Sequence, residues 1–404
     1  MIDLQRQVPG SVIGGILLIA GSCIGAGMLA LPILTGLAGF FPSLIAILAA
    51  CVFMTFTGLL LVEVNGWFYG SINLLSMTEL SFGKPGKALA WVSYLFLFYA
   101  LLVAYSAASG EVFAAILQEL LGWNVPGWTA SIVFTLLFGW IIYLGTHTVD
   151  VVNRILMIGL IVAYLGMIGL GLSKIDPALL LHYAPHRTLA SLPVLVVSFG
   201  FQNMIPSLTT YMKGDLKRVR WTILGGSALA LSIYLLWTAL VLGVVPVDGI
   251  NGILATYERG EEATAALRWS LGSSQVAFFA QSFAFFAIVT SFLAQGLSLT
   301  HFLADGFKKE PVPQNIRWLC LLALIPPLIF ALLSPQMFFR ALSFAGGVCA
   351  MILFGLLPIG MAWTGRYKKK QTSSYHVRGG KPALILGLLF TLTIISCELI
   401  RIFS

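Results

Sequence analysis

Charged side chains are scarce in this sequence. Only 9% of its 404 residues are Asp, Glu, Lys or Arg, whereas 59% are hydrophobic, and the mean hydropathy is +0.96. In a typical protein that folds in water, about a quarter of the residues are charged. The shortage of charge therefore excludes an ordinary water-soluble domain and predicts a chain whose solvent is lipid.

Several chemical signatures are missing as well. The five cysteines lie in apolar runs without a paired-Cys motif, so neither a disulfide framework nor a zinc site is predicted. The sequence contains no phosphate loop, which argues against a nucleotide-driven pump, and no cofactor is predicted. The basic residues form no patch that would bind a nucleic acid. Carboxylates and histidines do not cluster as in an active site, so a membrane-embedded enzyme is only a remote alternative.

The sequence does contain eleven apolar runs, each long enough to cross the ~30 Å hydrocarbon core of a membrane, which takes about 20 helical residues. They lie roughly at 11–37, 41–65, 88–118, 127–145, 150–172, 189–212, 220–245, 273–303, 316–334, 337–363 and 382–403. No connection between them is long enough for a soluble domain. We therefore predict an all-α integral membrane protein with eleven transmembrane helices, in which residues 1–404 form a single transmembrane domain.

The distribution of basic residues predicts the orientation of the chain, because short cytoplasmic loops are enriched in Lys and Arg. With a cytoplasmic N-terminus, seventeen of the 23 Lys and Arg residues fall on the cytoplasmic side. The six that fall outside are Lys174, Arg187, Arg259, Arg268, Arg340 and Arg401. Since eleven spans bring the chain to the opposite side, we expect a multi-pass protein with its C-terminus outside.

Two of the apolar runs are interrupted in the middle. The first contains the glycine-rich segment Gly21–Met28, and the sixth contains the segment Phe199–Pro206. Glycine permits non-helical backbone and Pro206 lacks a backbone donor, so both segments are expected to unwind at mid-membrane depth. Unwound backbone is tolerated there only where it is buried in protein or lines a cavity. The breaks therefore predict a cavity; the plainer alternative is that the glycines only allow close helix packing.

The positions of the two breaks predict an internal repeat. Five spans separate them, and an odd number means that the two breaks enter the membrane from opposite sides. This pattern is typical of a LeuT-type 5+5 inverted repeat with discontinuous helices 1 and 6, in which the paired breaks mark the substrate site of a transporter. Repeat one would cover about 11–172 and repeat two about 189–363, with an extra helix at about 382–403.

The two breaks would present backbone groups of opposite polarity to the cavity. A half-helix that begins in mid-membrane exposes free amides and one that ends there exposes free carbonyls, each carrying about half an elementary charge. Such a site suits a zwitterion, whose carboxylate would lie at the helix N-terminus. The amides are expected from Gly25, Ala26 and Gly27, and the carbonyls from Gly21, Ser22, Ser198, Phe199 and Gly200.

The remaining walls of the cavity are expected from spans 3, 6, 8 and 10. Aromatic and small side chains there would form a slot for a flat apolar side chain. The candidates are Tyr105 and Ser109 in span 3, Phe199, Phe201 and Gln202 at the break in span 6, and Ser343 and Phe344 in span 10. With 28 phenylalanines in the chain, composition alone does not establish an aromatic substrate.

A resemblance to a known family is carried by the segments Gly25–Pro32, Ser198–Ser207 and Glu63–Asn65. They are similar to motifs of the hydroxy and aromatic amino acid permease family, and most like those of its tyrosine-specific members. The resemblance covers essentially the whole chain. It implies the amino acid, polyamine and organocation superfamily and proton-coupled import of an aromatic amino acid across a bacterial inner membrane by alternating access. The motifs separate tyrosine poorly from tryptophan, so a tryptophan or other neutral amino acid carrier is the alternative.

The coupling ion is left open by one departure from the family pattern. Many family members have a histidine where this sequence has Gln202, and a histidine can carry a proton whereas glutamine cannot. Sodium is the alternative ion, because the adjacent hydroxyls of Thr290 and Ser291 in span 8 resemble the sodium site of relatives with the same fold. The competing interpretation is that these hydroxyls bond back to their own helix.

Two charged residues near span ends are further candidates for coupling. Glu63 is interpreted either as a group for proton coupling or gating, or as a structural residue at the membrane interface. Arg154, near the cytoplasmic start of span 5, would replace the sodium ion with a fixed charge, or it simply follows the positive-inside pattern.

Overall fold

The computed structural model describes residues 10–68, 73–271, 274–307, 313–334, 336–371 and 375–403, and the regular secondary structure in these ranges is helical throughout. In hydrocarbon every backbone amide and carbonyl must be bonded within the protein, and a helix does so within one segment. The prediction of an all-α chain is therefore confirmed for the described residues.

The α-helices of the described ranges are numbered in chain order. They are α1 (Val12–Cys23), α2 (Gly27–Gly36), α3 (Phe40–Asn65), α4 (Leu74–Leu121), α5 (Gly127–Tyr143), α6 (Thr146–Gly171), α7 (Thr188–Ser198), α8 (Ile205–Tyr211), α9 (Leu216–Val244), α10 (Ile253–Arg259), α11 (Ala263–Leu271), α12 (Ser274–Gly306), α13 (Pro313–Ala331), α14 (Met337–Phe344), α15 (Leu357–Trp363) and α16 (Gly380–Phe403).

Eight helical segments in the described part of the chain are long and apolar enough to cross a membrane, or nine if α1 and α2 form one broken span. Two further apolar helices are shorter, namely α5 and the segment Ile316–Ala331 of α13. By length and composition, these helices agree with a multi-pass membrane protein.

Both interruptions predicted from glycine and proline are present. Helices α1 and α2 are bent by 60° across residues 24–26. Helix α7 ends at Ser198, residues 199–201 are non-helical, and a 3₁₀ turn at Gln202–Met204 leads into α8. The second interruption is less sharp than the first, since Pro185–Tyr211 runs as one apolar span whereas α1 and α2 form a bent pair.

Helix α4 is longer than the apolar run at 88–118 predicts. Asn73 caps its start, where the side-chain oxygen accepts a hydrogen bond from the Ser76 amide at 2.9 Å. The backbone then kinks at Gly83, whose φ of +74° is a conformation that glycine adopts without steric cost. Residues 74–82 therefore form a short helical segment that runs in a different direction from the long apolar part of α4.

The segment from Met337 to Lys368 is one continuous span in which α14 and α15 are joined by π-helical turns. It packs against α7, α4 and α16. Gly346 lies directly against the Pro193 carbonyl of α7, and a Cβ at Gly347 would be 2.7 Å from Glu398 Cγ of α16. These two glycines let the span approach its neighbours closely.

Helices α10 and α11 pack against α2 and cover one end of the molecule. Glu262, between them, is buried, and its carboxylate accepts hydrogen bonds from the amide and the hydroxyl of Thr264. Burial raises the pKa of the Glu262 carboxyl. The carboxylate satisfies the first turn of α11, which would otherwise leave free donors.

A buried ion pair lies at the C-terminal end of α3. Arg366 donates from Nε and Nη2 to the two oxygens of Glu63 at 2.8 and 2.6 Å, and the side chains are 6% and 1% exposed. The Val377 amide donates to Glu63 Oε2 at 2.7 Å, and His376 Nδ1 lies 2.9 Å from Oε1. This network joins α3, the end of the 337–368 span and the connection to α16.

We expect Glu63→Gln to lower the melting temperature of the detergent-solubilised protein strongly, because removing one charge of a buried pair costs about 3–5 kcal/mol. Thermal unfolding followed by fluorescence measures the effect. The matched control is Glu79→Gln, which removes the partner of Lys87 from an ion pair whose side chains are 39% and 49% exposed. Such an exposed pair contributes about 0–1 kcal/mol, so this variant should melt like the unmodified protein.

If Glu63 instead carries a coupled proton, the opposite pattern is expected. Glu63→Gln would then melt near the temperature of the unmodified protein and would lose uptake driven by a proton gradient. A double variant with methionine at Glu63 and Arg366 separates the two cases further, because removing both charges together should recover most of the lost stability.

Candidate functional site

A cavity of about 240 Å³ lies beside the break between α1 and α2. Its walls come from α1, α2, α4, α6, α7, α12, the segment 200–204 and the 337–368 span. Nine of the residues predicted from the sequence line it, namely Gly21, Ser22, Gly25, Gly27, Tyr105, Ser198, Gly200, Thr290 and Ser291. The structure therefore brings both breaks and part of span 8 to one site.

The amides at the start of α2 have different surroundings. The Ala26 amide donates to Ser291 Oγ of α12 at 2.9 Å. Within the described residues, the amides of Gly25 and Gly27 have no hydrogen-bond partner, and both residues line the cavity. Ala26 itself is fully buried and does not line the cavity. Of the three predicted amides, two are thus available to a bound anion and one is held by a serine.

Glycine is required at the break because neighbouring side chains approach closely. A Cβ at Gly25 would lie 2.6 Å from Ser291 Oγ, and one at Gly27 would lie 3.1 Å from Ser198 Oγ. The first distance is shorter than two non-bonded atoms tolerate. A Cβ at Gly25 would therefore displace Ser291 Oγ, which accepts from the Ala26 amide, and would crowd the free amides.

Tyr234 of α9 links the carbonyl ends of the two breaks. Its hydroxyl lies 2.5 Å from the Cys23 carbonyl oxygen and 2.7 Å from the Ser198 carbonyl oxygen, so both carbonyls share one donor. One turn further along α9, Trp237 Nε1 donates to the Met28 carbonyl at 2.9 Å. Tyr234 satisfies carbonyls that the interruptions leave without a helical partner, and Trp237 satisfies the Met28 carbonyl, whose helical donor is absent because residue 32 is proline.

Three residues predicted around the second break face away from the cavity. Phe199 is fully buried with its ring centroid 4.9 Å from that of Tyr234, and Phe201 packs against Gly58 of α3. Gln202 is also fully buried, and its Nε2 donates to the Met54 carbonyl at 3.0 Å and to Thr57 Oγ1 at 3.3 Å. None of the three lines the cavity, because the non-helical turn directs these side chains towards α3 and α9.

The predicted residues of spans 3 and 10 are only partly at the cavity. Ser109 donates to the Ser106 carbonyl at 2.8 Å and lies on the side of α4 that packs on α5. Ser343 and Phe344 do not line the cavity either. The 337–368 span contributes Leu342 and Phe354 instead, since its helical rotation places those side chains inward.

The coupling candidates are dispersed in the structure. Thr290 Oγ1 donates to the Phe286 carbonyl at 2.8 Å, so it bonds back to its own helix. Arg154 pairs with Asp150 at 2.9 Å, and its side chain is 77% exposed. Neither Arg154 nor Glu63 lines the cavity. The structure thus leaves only Thr290 and Ser291, of the four candidates, beside the break.

The cavity contains several residues that the sequence patterns did not single out. An aromatic and aliphatic face of α4 is formed by Tyr94, Leu97, Phe98 and Leu101, and amide side chains come from Asn153, Asn203 and Gln295. The spacing of the α4 residues, i, i+3, i+4 and i+7, is a signal for one helix face. Tyr234 and Trp237 were missed as well, and the signal that could have found them is their position in the middle of a span, away from the interfacial belts where Tyr and Trp are common.

The lining of the cavity carries no formal charge. Among the described residues that form it there is no Asp, Glu, His, Lys or Arg. Its polarity comes from the ends of α1, α2 and α7, from hydroxyls and from amides. Fixed dipoles of opposite sign in a low-dielectric site favour a ligand with two opposite charges and no net charge.

Comparison with known proteins identifies relatives along the whole chain. A profile of the tryptophan/tyrosine permease family matches residues 9–398. Tyrosine-specific transport system 1 of Haemophilus influenzae is 34% identical over 390 residues, which cover 95% of each chain. The tryptophan-specific transport protein of Shigella flexneri is 30% identical over 391 residues, which cover 95% of this chain and 94% of that protein.

These relatives are transport proteins, and the family is a family of permeases. The match extends over both helix breaks and over all the elements that form the cavity. It confirms the resemblance found in the sequence and the prediction of a transporter instead of an enzyme. The chain therefore belongs to the tryptophan/tyrosine permease family.

Proposed function

We propose that this protein imports an aromatic amino acid, tyrosine, across a bacterial inner membrane. The observation that carries the proposal is the uncharged cavity at the two helix breaks, with free amides at one helix end and carbonyls at another. Family membership supports a transported aromatic amino acid, and the relatives named tyrosine-specific are 34% identical, against 30% for the tryptophan-specific protein quoted above.

The free amides and carbonyls assign an orientation to the bound amino acid. The amides of Gly25 and Gly27 would hold the carboxylate at the start of α2. The carbonyls of Gly21 and Ser22 at the end of α1 would accept the ammonium group. The Ser198 carbonyl is a weaker candidate, because the Tyr234 hydroxyl already donates to it.

The aromatic ring would then lie along α4. Tyr94, Phe98 and Tyr105 project from one face of this helix into the cavity and offer ring contacts with the substrate. Residues Phe199, Phe201, Gln202, Ser109, Ser343 and Phe344, predicted from the sequence to bind substrate, would act only by supporting the walls.

Eleven spans and a single domain over residues 1–404 are part of the proposal. The nine long spans, with α1 and α2 counted as one, together with the shorter α5 and α13, give this number in the described ranges. The spans are then α1 with α2, α3, α4, α5, α6, α7 with α8, α9, α12, α13, the 337–368 segment and α16.

The packing of these spans supports the inverted repeat at about 11–172 and 189–363. In such a repeat the first span, α1 with α2, corresponds to the sixth, α7 with α8, and α3 corresponds to α9. The contact between α1 and α9 therefore has its equivalent in the contact between α7 and α3, and both contacts are present. The pair α6–α12 becomes the pair of the 337–368 span with α4, and α4–α5 becomes α12–α13, which are also in contact. Such an equivalence is expected for two halves related by a pseudo-twofold axis in the membrane plane.

The cavity favours an inward-facing state of an alternating-access cycle. It extends from the break to Met204, Asn153 and Ser298, towards the end of the molecule where the Gly10 amide donates to the Tyr211 carbonyl at 2.9 Å. Helices α10 and α11 cover the other end. With the N-terminus in the cytoplasm and the C-terminus outside, as the positive-inside pattern predicts, the cavity would open to the cytoplasm.

Proton symport is the proposed coupling, as the family resemblance implies. Sodium symport is the second candidate, and two observations favour it. No carboxylate or histidine lines the cavity within the described residues, and the hydroxyls of Thr290 and Ser291 lie beside the break. Oxygen ligands of this kind suit a hard cation.

We expect Gly25→Ala to weaken the apparent affinity for tyrosine about 10- to 100-fold, because the added Cβ would keep the carboxylate from the free amides, and a hydrogen bond to a charged group contributes about 1.5–3 kcal/mol. Counterflow of labelled against unlabelled tyrosine in proteoliposomes measures this affinity. The control is Gly169→Ala, since a Cβ at Gly169 of α6 has no neighbour within 4 Å. Wild-type affinity in Gly25→Ala would refute the amide site, and conversion of tyrosine to another compound would refute the carrier.

For the coupling ion, we expect concentrative tyrosine uptake when a proton gradient, acidic outside, is applied in sodium-free buffer. A sodium gradient at equal pH on both sides should not drive uptake. The reverse result would establish the second candidate, and Thr290→Val would then raise the sodium concentration needed for half-maximal uptake, because the variant loses an oxygen ligand while keeping its shape.

A further inference from the structure

The end of the cavity away from the helix break contains polar side chains that the carboxylate and ammonium groups of the substrate would not contact. Asn153 and Met157 of α6 are one helical turn apart and both line the cavity. On α12, Ser291, Gln295 and Ser298 lie at i, i+4 and i+7 and line it as well. Each set therefore lies on one face of its helix, and the two faces meet at the cavity.

Packing of α6 on α12 brings the two amide side chains to a similar depth. The helices run antiparallel, because Gly159 contacts the ring of Phe286 and Gly166 contacts the ring of Phe279. Continuing this register by two helical turns places Asn153 and Gln295 within about one turn of each other, since a turn takes 3.6 residues. Both amides then stand at the same end of the cavity.

These amides lack partners within the protein. Asn153 Oδ1 and Gln295 Oε1 are buried, and neither has a hydrogen-bond partner among the described residues. An acceptor that becomes buried without a partner costs about 1–3 kcal/mol, so a substrate that fills this end of the cavity binds better if it carries a group that bonds to these oxygens. Rotation of a terminal amide by 180° presents either its oxygen or its nitrogen to that group.

The distance along α12 between the helix break and Gln295 indicates which part of the substrate would reach the two amides. Ser291 stands at the helix break, and Gln295 follows four residues later, about 6 Å further along the axis at 1.5 Å per residue. A substrate whose carboxylate and ammonium lie at the break would therefore direct the far end of its ring to the amides. Side chains of α4 line the same cavity and would contact the faces of the ring.

We propose that Asn153 and Gln295 form the subsite for a hydrogen-bonding group at the far end of the ring, the phenolic hydroxyl of tyrosine. A phenol both donates and accepts, so it satisfies the oxygen of one amide and the nitrogen of the other. An indole N–H only donates, and a phenyl ring does neither. This inference rests on the proposed function and adds the residues that select tyrosine over phenylalanine and tryptophan.

The first test uses the unmodified protein and competitors for labelled tyrosine in counterflow. Phenylalanine and 4-methylphenylalanine should each compete about tenfold less well than tyrosine, as expected for one lost hydrogen bond. 4-Aminophenylalanine, which donates and accepts at the same position, should compete nearly as well as tyrosine. Equal potency of tyrosine and 4-methylphenylalanine would overturn the proposal whether or not any variant folds.

The second test uses the near-isosteric variants Asn153→Leu and Gln295→Met. Each variant should lower the apparent affinity for tyrosine about tenfold and leave the affinity for phenylalanine unchanged, so that the ratio of the two affinities approaches one. The matched control is Gln275→Met, on the same helix but at an exposed position outside the cavity, which should keep the ratio of the unmodified protein.

Two other outcomes are distinguishable. If both variants lose the same factor in affinity for tyrosine and for phenylalanine, the proposed subsite is overturned. The amides would then act in closure of the cavity, because a gate affects every substrate alike. Absence of exchange for every aromatic amino acid in the unmodified protein would refute the proposed function itself, and the subsite with it.

Discussion

An interrupted helix at mid-membrane depth requires partners for every backbone group that the interruption frees, and the structure around the cavity follows from this requirement. The bend between α1 and α2 leaves carbonyls and amides without helical bonds, and these groups must either bond to other parts of the protein or line a polar cavity. Tyr234 donates to carbonyls at both breaks, and Ser291 accepts from the Ala26 amide. Just beyond the first break, Trp237 donates to the Met28 carbonyl, which Pro32 leaves without a helical donor. Helices α9 and α12 thus hold the break open, and the groups they leave free line the cavity.

The location of charge follows from the same constraint. A formal charge in the cavity would need a partner in a low dielectric, whereas helix ends supply polarity without one. The described part of the chain keeps its most buried ion pair, Glu63 with Arg366, at the end of α3, where it fastens three segments together. An uncharged cavity between charged ends suits a ligand that brings two opposite charges of its own. It also separates recognition of the amino acid backbone, which the breaks perform, from recognition of the side chain, which other helices must perform.

Much of this arrangement was predictable, since some of its causes are local. Glycine and proline in the first and sixth apolar runs predicted both interruptions, and some of the residues next to them, such as Gly25, Gly27 and Ser198, line the cavity. The prediction failed at side-chain directions. Gln202 is adjacent to the break, yet it donates to Met54 and Thr57 of α3, and Phe199 and Phe201 are buried with it. Glu63 is a candidate for coupling because it is an ionisable residue in an apolar span, and the sequence could not reveal its ion pair with Arg366, which is 303 positions away.

The sequence by itself determined that the chain lies in lipid, how its apolar segments are spaced, where two of them break and to which family it belongs. These properties depend on composition, on backbone preferences of single residues and on motifs. Only the tertiary structure decided which face of each helix meets the cavity, and so assigned Tyr94, Asn153, Tyr234 and Gln295 to its surroundings. The physical reason is that lipid and protein interior are both apolar, so hydrophobic periodicity carries little information about helix rotation. Packing between helices far apart in the sequence sets that rotation instead.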